Sequence, residues 1–149
     1  MKGIQIVAAV LAILSLAMVG GAWSPFFVPL SEHTMAKDVT DCYLPIHRTY
    51  SFSTHDERAV SWLNFWRDCR AHNVEWRWYY PEGGVYSRSF DVIPPIDGFI
   101  GSWGAPVWAC LKIKGCDVER LPGRWKVDVI IDYRKVLTEY FTIGCKEDC

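Results

Sequence analysis

Six cysteines, eight tryptophans and four histidines are the side chains of this 149-residue chain that are best suited to chemistry. The cysteines, Cys42, Cys69, Cys110, Cys116, Cys145 and Cys149, are even in number and all lie past the apolar N-terminus. No CxxC occurs, which removes the spacing that structural zinc sites and thiol oxidoreductases use. In an exported chain such a set reads as disulfides, and six cysteines allow about 15 pairings. Two spacings are suggestive. Cys110 and Cys116 flank LKIKG and would close a turn, and a bridge between Cys145 and Cys149 would stop the last strand from fraying.

The tryptophans admit two uses. A flat ring can stack on the apolar face of a pyranose, and the same ring can fill the core of a β-sandwich. Trp62, Trp76, Trp78 and Trp125 are expected in the core. Trp103 and Trp108, around GSWGAP, and Tyr79 are the candidate ligand-binding residues, with a saccharide as the ligand to consider. His55-Asp56-Glu57 joins an imidazole to two carboxylates, a set capable of acid–base work. Adjacent residues on a turn point apart, however, so a solvated charged turn is expected there. His33, His47 and His72 have no ligand-spaced partner, and a metal site built on His47 or His72 is a minor alternative. There is no GxSxG elbow and no phosphate-cradling glycine loop. No catalytic residue, cofactor or metal is expected, and the chain reads as a non-enzyme.

Charge excludes another class. Lys and Arg number 16 against 17 Asp and Glu, for a net charge of −1. With no basic tract, the electrostatic footprint of a nucleic-acid binder is missing.

The opening stretch, MKGIQIVAAVLAILSLAMVGGA, has the three parts of an export signal: Lys2, an apolar run from Ile4 to Val19, and small residues at Gly20 and Ala22 before a cut. Gly3 to Leu30 carries no charge and is also long enough to span a bilayer as a retained anchor. Either alternative, signal peptide or N-terminal apolar helix, places the domain outside the cytoplasm. The expected layout is signal or anchor over 1–22, linker over 23–41 and a folded domain over 42–149. The linker assignment rests on Pro25, Pro29 and the polar run SEHTMAKDVTD.

The rest of the chain must supply the elements that hold these side chains. HRTYSFST (47–54) alternates as a half-buried strand. AVSWLNFW (59–66) fits a strand or a helix, and its β-branched and aromatic residues favour a strand. VEWRWYY (74–80) puts Val74, Trp76, Trp78 and Tyr80 on one face. PEGG supplies turn chemistry, and VYSRSFDV (85–92) returns as a hairpin partner until the prolines of IPPIDG end it. Val107 to Ile113 alternates again, and Gly115 to Gly123 is a crossover. Arg124–Asp132 and Val136–Ile143 then form a terminal hairpin. Trp125, Val127, Val129 and Ile131 share one face of it; Leu137, Phe141 and Ile143 share a face of the return strand, with Glu139 as the exception. The turn over residues 132–135 lacks glycine, which predicts a longer or strained loop rather than a two-residue type I′ turn. About seven short strands with little helix indicate an all-β, antiparallel two-sheet sandwich.

An aromatic strand ending in PEGGVY and a terminal LPGRWKVDVIIDYRKVLTEYFTI resemble small exported immunoglobulin-like domains of prokaryotes, which end in a G-x-W-x-V-x-V strand, a turn and an L-x-x-x-x-F-x-I strand. The resemblance covers roughly residues 48–143. It implies an immunoglobulin-like sandwich acting as a binding or structural module, and it transfers no functional residues. Cys69 precedes Trp78, but no Tyr-x-Cys occurs, a departure that speaks against an antibody-type core bridge. The function expected is a non-enzymatic interaction or accessory module of the cell envelope or of a secreted assembly, with another envelope or secreted protein as partner. A carbohydrate-binding module is the alternative; a small metal-binding or hydrolytic protein comes last. Membrane contact is expected only if the N-terminal helix is retained.

Overall fold

The computed structural model describes residues 30–66, 70–95 and 104–144. The apolar segment 1–22 lies outside the described residues, as do Cys69, Trp103, Cys145 and Cys149. Among the described residues nine strands form two sheets: β1 (Leu30–Val39), β2 (Pro45–Arg48), β3 (Ser51–Ser53), β4 (Arg58–Phe65), β5 (His72–Tyr79), β6 (Val85–Ile93), β7 (Ala105–Lys112), β8 (Gly123–Ile131) and β9 (Arg134–Gly144). A four-stranded sheet runs β2-β1-β4-β7, and a five-stranded sheet runs β3-β9-β8-β5-β6. The crossover before β8 holds one 3-10 turn, Asp117–Arg120.

The two-sheet sandwich expected from the alternation is therefore present, with nine strands rather than about seven. The expected 47–54 strand is two strands in two sheets, because the chain leaves β2 and crosses at Thr49–Tyr50 to enter β3. The sheets are not wholly antiparallel either: β3 runs parallel to β9. Residues 30–39, expected within a linker, form β1, which pairs with both β2 and β4. Its polar composition hid it, since in this strand only Thr34, Met35 and Ala36 are buried.

Alternation along β5 and β8 builds the core. Val74, Trp76 and Trp78 lie opposite Ile131, Val129 and Val127 in register, and all are buried. Residues directly opposite on paired strands share a face, so this row is the inner face of the five-stranded sheet. Phe52, Trp125, Phe141 and Ile143 extend it, and Met35, Leu63, Phe65, Val107 and Leu111 face it from the other sheet. Three of the four tryptophans expected in the core are there. Trp62 is not: in β4 the inward positions are Ala59, Leu63 and Phe65, whereas Trp62 pairs with Thr34 and Trp108 on the outer face. It is buried nonetheless, because the loop after β1 folds over it and its Nε1 donates to the Tyr43 carbonyl at 2.8 Å.

The β5–β6 hairpin closes through PEGG as its composition predicts. Gly83 and Gly84 both take positive φ, and the Gly83 amide donates to the Tyr80 carbonyl at 3.0 Å. The β8–β9 hairpin departs from expectation. Its turn is a two-residue one, with Asp132 at φ +47° and Tyr133 at φ +67° between the paired Ile131 and Arg134. This is the conformation of a type I′ turn, held without glycine. Asp132 is fixed there by its own carboxylate, which accepts from the Asn73 amide at 3.0 Å and lies 2.6 Å from His72 Nδ1. Tyr133 is 94% exposed. Tyr133→Gly should therefore stabilise the domain by about 0.5–1 kcal/mol, since glycine enters the left-handed region without a Cβ penalty. A urea midpoint that stays put or falls would refute this account of the turn.

Candidate functional site

Of the sequence-derived site residues, the two that are described, Trp108 and Tyr79, do not converge. Trp108 is on β7 and Tyr79 on β5, on the outer faces of different sheets, and Trp103 is outside the described residues. Trp108 is half-buried, with its ring 5.1 Å from that of Tyr43. The two rings are tilted by 40° rather than coplanar. Beside them a groove of about 570 Å³ runs past Tyr43, Leu44, Trp62 and the Arg48–Glu32 ion pair. Tyr79 is covered by Lys126, whose Nζ lies 3.8 Å from the ring centroid. Among the described residues Cys42, Cys110 and Cys116 form no disulfide. The suggested Cys110–Cys116 closure is not made: Cys110 sits opposite Val60 on the outer face of β7, whereas Cys116 neighbours Tyr86, which packs on the core. His55 and Asp56 fall on the turn before β4, and Asp56 pairs with Lys37 at 2.9 Å. His72 pairs with Asp132 as described. Among the described residues no three metal-ligating side chains come together.

One polar cluster was visible in the sequence only as an irregularity. Glu139 faces inward between Leu137 and Phe141 and is 3% exposed. Its carboxylate accepts from Ser61 Oγ at 2.9 Å and from the Tyr50 hydroxyl at 3.3 Å, and it lies 3.1 Å from His33 Nδ1. A buried carboxylate on one sheet is thus matched by polar groups carried on β1, on β4 and on the crossing between β2 and β3. The cluster ties the two sheets together. Burial, and then the Glu139 charge, raise the Tyr50 pKa above its ordinary value. The tyrosine contribution to stability is full below about pH 10 and is lost as pH rises through the raised folded value. Above about pH 10 the melting temperature of the native protein should fall more steeply than that of Tyr50→Phe, and parallel curves would contradict this.

The feature that stands apart is the free edge of the five-stranded sheet. Sheet edges invite pairing with other chains and are ordinarily blunted by shortness, proline or lysine. Three of the four edges here fit that rule: β2 has four residues and starts at Pro45, β3 has three, and β7 carries Pro106 and Lys112. β6 has nine residues, with neither proline nor lysine, and among the described residues no strand pairs with its outer side. Phe90 is 70% exposed and Val92 52%. By register with Arg77, Glu75 and Asn73, the side chains of Arg88, Phe90 and Val92 lie on the outer face of the sheet.

That outer face is basic. Its cations are Arg77, Arg88, Arg124, Lys126 and Lys135; its carboxylates are Glu75 and Asp128. Glu75 accepts from Arg77 Nε at 2.6 Å and Nη2 at 3.0 Å, with Arg88 3.8 Å away. The Arg77 hydrogen bonds hold the Glu75 carboxyl below its ordinary pKa. Asp128 lies 3.7 Å from both Lys126 and Lys135. Arg124 stacks on Tyr140, 4.4 Å from its ring centroid.

No protein-family model and no curated protein matches the chain. Among solved structures it is similar to an immunoglobulin-like protein from Pseudomonas aeruginosa, at 10% identity and a TM-score of 0.48, over 80% of this chain and 98% of that one. The likeness is one of fold. It is also similar to the Pseudomonas fluorescens alkylpurine DNA glycosylase AlkC bound to DNA containing an abasic-site analogue, at 13% identity and a TM-score of 0.38, over 77% of this chain and 31% of that one.

Proposed function

We propose that the chain is a non-enzymatic, exported interaction module of the cell envelope or of a secreted assembly, and that it engages another protein through the β6 edge and the outer face beside it. The observation that carries this reading is β6 itself, a nine-residue edge strand without proline or lysine that presents Phe90 and Val92 to solvent. An added strand would form main-chain hydrogen bonds along β6, with alternate side chains giving specificity. Covering Phe90 and Val92 would contribute about 1.5–3 kcal/mol for each side chain fully buried. The export signal or anchor over 1–22 supports the location. The saccharide alternative loses its simplest form, because Trp108 and Tyr79 lie on different sheets and cannot form one stacking platform.

Photo-crosslinking in intact cells tests the proposal. With p-benzoylphenylalanine in place of Phe90, a discrete protein adduct is expected. The same group in place of Tyr133, which is exposed on the β8–β9 turn, should give none. Equal labelling from both sites, or none from Phe90, would count against docking at β6.

A further inference from the structure

We infer that the segment accepted by β6 is extended and acidic: a strand of another protein that sets carboxylates beside Arg88 and aliphatic side chains beside Phe90 and Val92. This rests on the edge-docking reading and names the chemistry of its partner.

The pleat sets the pattern. Every second residue of an added strand would lie on the same face as Arg88, Phe90 and Val92. The remaining residues would meet Ser87, Ser89 and Asp91, which lie opposite Trp78, Trp76 and Val74 and so have the other parity. One side of the added strand therefore meets a cation and two apolar groups, and the other meets small or polar ones.

Charge selects the occupant. The outer face holds five cations and two carboxylates, so it is positive by three although the whole chain carries −1. Glu75 is committed to Arg77 through two short hydrogen bonds and reaches Arg88 only at 3.8 Å. The Arg88 side chain is 54% exposed and has guanidinium donors left for a second carboxylate.

A second copy of the chain fits poorly. Antiparallel pairing of two β6 strands about a two-fold axis normal to the sheet joins the same face of each copy. It would put two basic faces side by side. It would also bring Arg88 no carboxylate beyond Glu75 from β6, because the one carboxylate of that strand, Asp91, points to the opposite side. The second carboxylate is assigned to a different chain.

The purified full chain in detergent can be titrated with a fluorescein-labelled eight-residue peptide in which threonine alternates with valine, valine, glutamate and glutamate. Run antiparallel to β6, it matches Val92, Phe90 and Arg88 in turn. Its lysine-for-glutamate counterpart and a backbone N-methylated form serve as comparisons. At low salt the glutamate peptide should bind at least 10-fold more tightly than the lysine peptide. Arg88→Glu should invert that order, and added salt should narrow the gap. Equal binding of the two peptides, an unchanged preference in Arg88→Glu, or no binding by either would overturn the inference. The edge-docking reading is scored separately. If the N-methylated peptide binds as well as its parent, strand pairing at β6 fails. If methylation abolishes binding while charge has no effect, the edge stands and only the acidic partner is wrong. Arg88 is exposed, and an unchanged melting temperature of Arg88→Glu confirms that the fold is intact.

Discussion

Glu139→Ala should lower the stability of this domain by about 3 kcal/mol, the scale on which a buried polar network fails when one member is removed. Three groups lose their shared acceptor at once: Ser61 Oγ, the Tyr50 hydroxyl and His33 Nδ1. They suffer unequally. His33 and Tyr50 are partly exposed and can turn to water, whereas Ser61 is 0% exposed and cannot. Most of the cost therefore falls on the serine hydroxyl and on the space left between Leu137 and Phe141. Two further variants separate these contributions. Glu139→Gln keeps the volume and an acceptor and should cost about 1 kcal/mol. Glu139→Leu combined with Ser61→Ala removes both ends of the most buried contact and should recover a large part of the loss. Urea unfolding followed by tryptophan fluorescence measures all three. A Glu139→Ala protein within about 1 kcal/mol of the parent would show that the cluster is not holding the sheets together.

Trp125→Ala should cost still more, about 4 kcal/mol, as a fully buried aromatic leaves a cavity that the sandwich cannot close. Trp125 is 0% exposed and packs against the rings of Tyr80 and Tyr86 at 5.8 and 5.5 Å. Its Nε1 donates to the Leu121 carbonyl at 3.0 Å, which ties the crossover to β8. Trp78 is equally buried, yet among the described residues its indole nitrogen has no hydrogen-bond partner, and the same holds for Trp76. The comparison of phenylalanine substitutions is thus informative. Trp125→Phe loses ring volume and a hydrogen bond. Trp78→Phe loses similar volume but relieves an unsatisfied donor, a group that costs roughly 1–3 kcal/mol when buried alone. Trp125→Phe should be the more damaging of the two by about 1–2 kcal/mol. The reverse order would mean that the Leu121 contact contributes little.

Legibility in the sequence followed the physics of each strand. β5 alternates cleanly, because one of its faces is buried and the other meets water, and the residue types of β6 and β8 alternate as well, so the strands of both hairpins could be read directly. β4 was recognised as a strand, but Trp62 was expected on its inner face and lies on its outer one. It is covered on both sides, inwardly by the core and outwardly by Tyr43 and Trp108, and an apolar run of that kind carries no parity. β1 went unread because its inward positions include His33, whose partner Glu139 lies far along the chain. The type I′ turn at Asp132–Tyr133 was missed because its conformation is held by His72 and Asn73 rather than by glycine. Of the candidate site, the common face of Arg88, Phe90 and Val92 is visible in VYSRSFDV as alternation. That β6 ends its sheet is not visible there, since strand order is decided by which elements pair across the whole chain. Trp108 and Tyr79 were chosen for their chemistry, and chemistry alone does not bring residues to one surface.

The parallel pairing of β3 with β9 bears on how this molecule assembles. Ser51 meets Thr142 and Ser53 meets Gly144, so three residues close a loop that contains most of the domain. The β5–β6 and β8–β9 hairpins need only short loops and can form early, whereas so distant a contact must wait until the intervening chain has collapsed. A topology of this kind belongs to the millisecond-to-second class of folders. During that interval the side of β9 that β3 will cover stands open, as β6 does in the finished fold. For a short time the described strands offer two long edges instead of one, β9 beside β6, and the slow closure of β3 covers the one that the native protein does not keep.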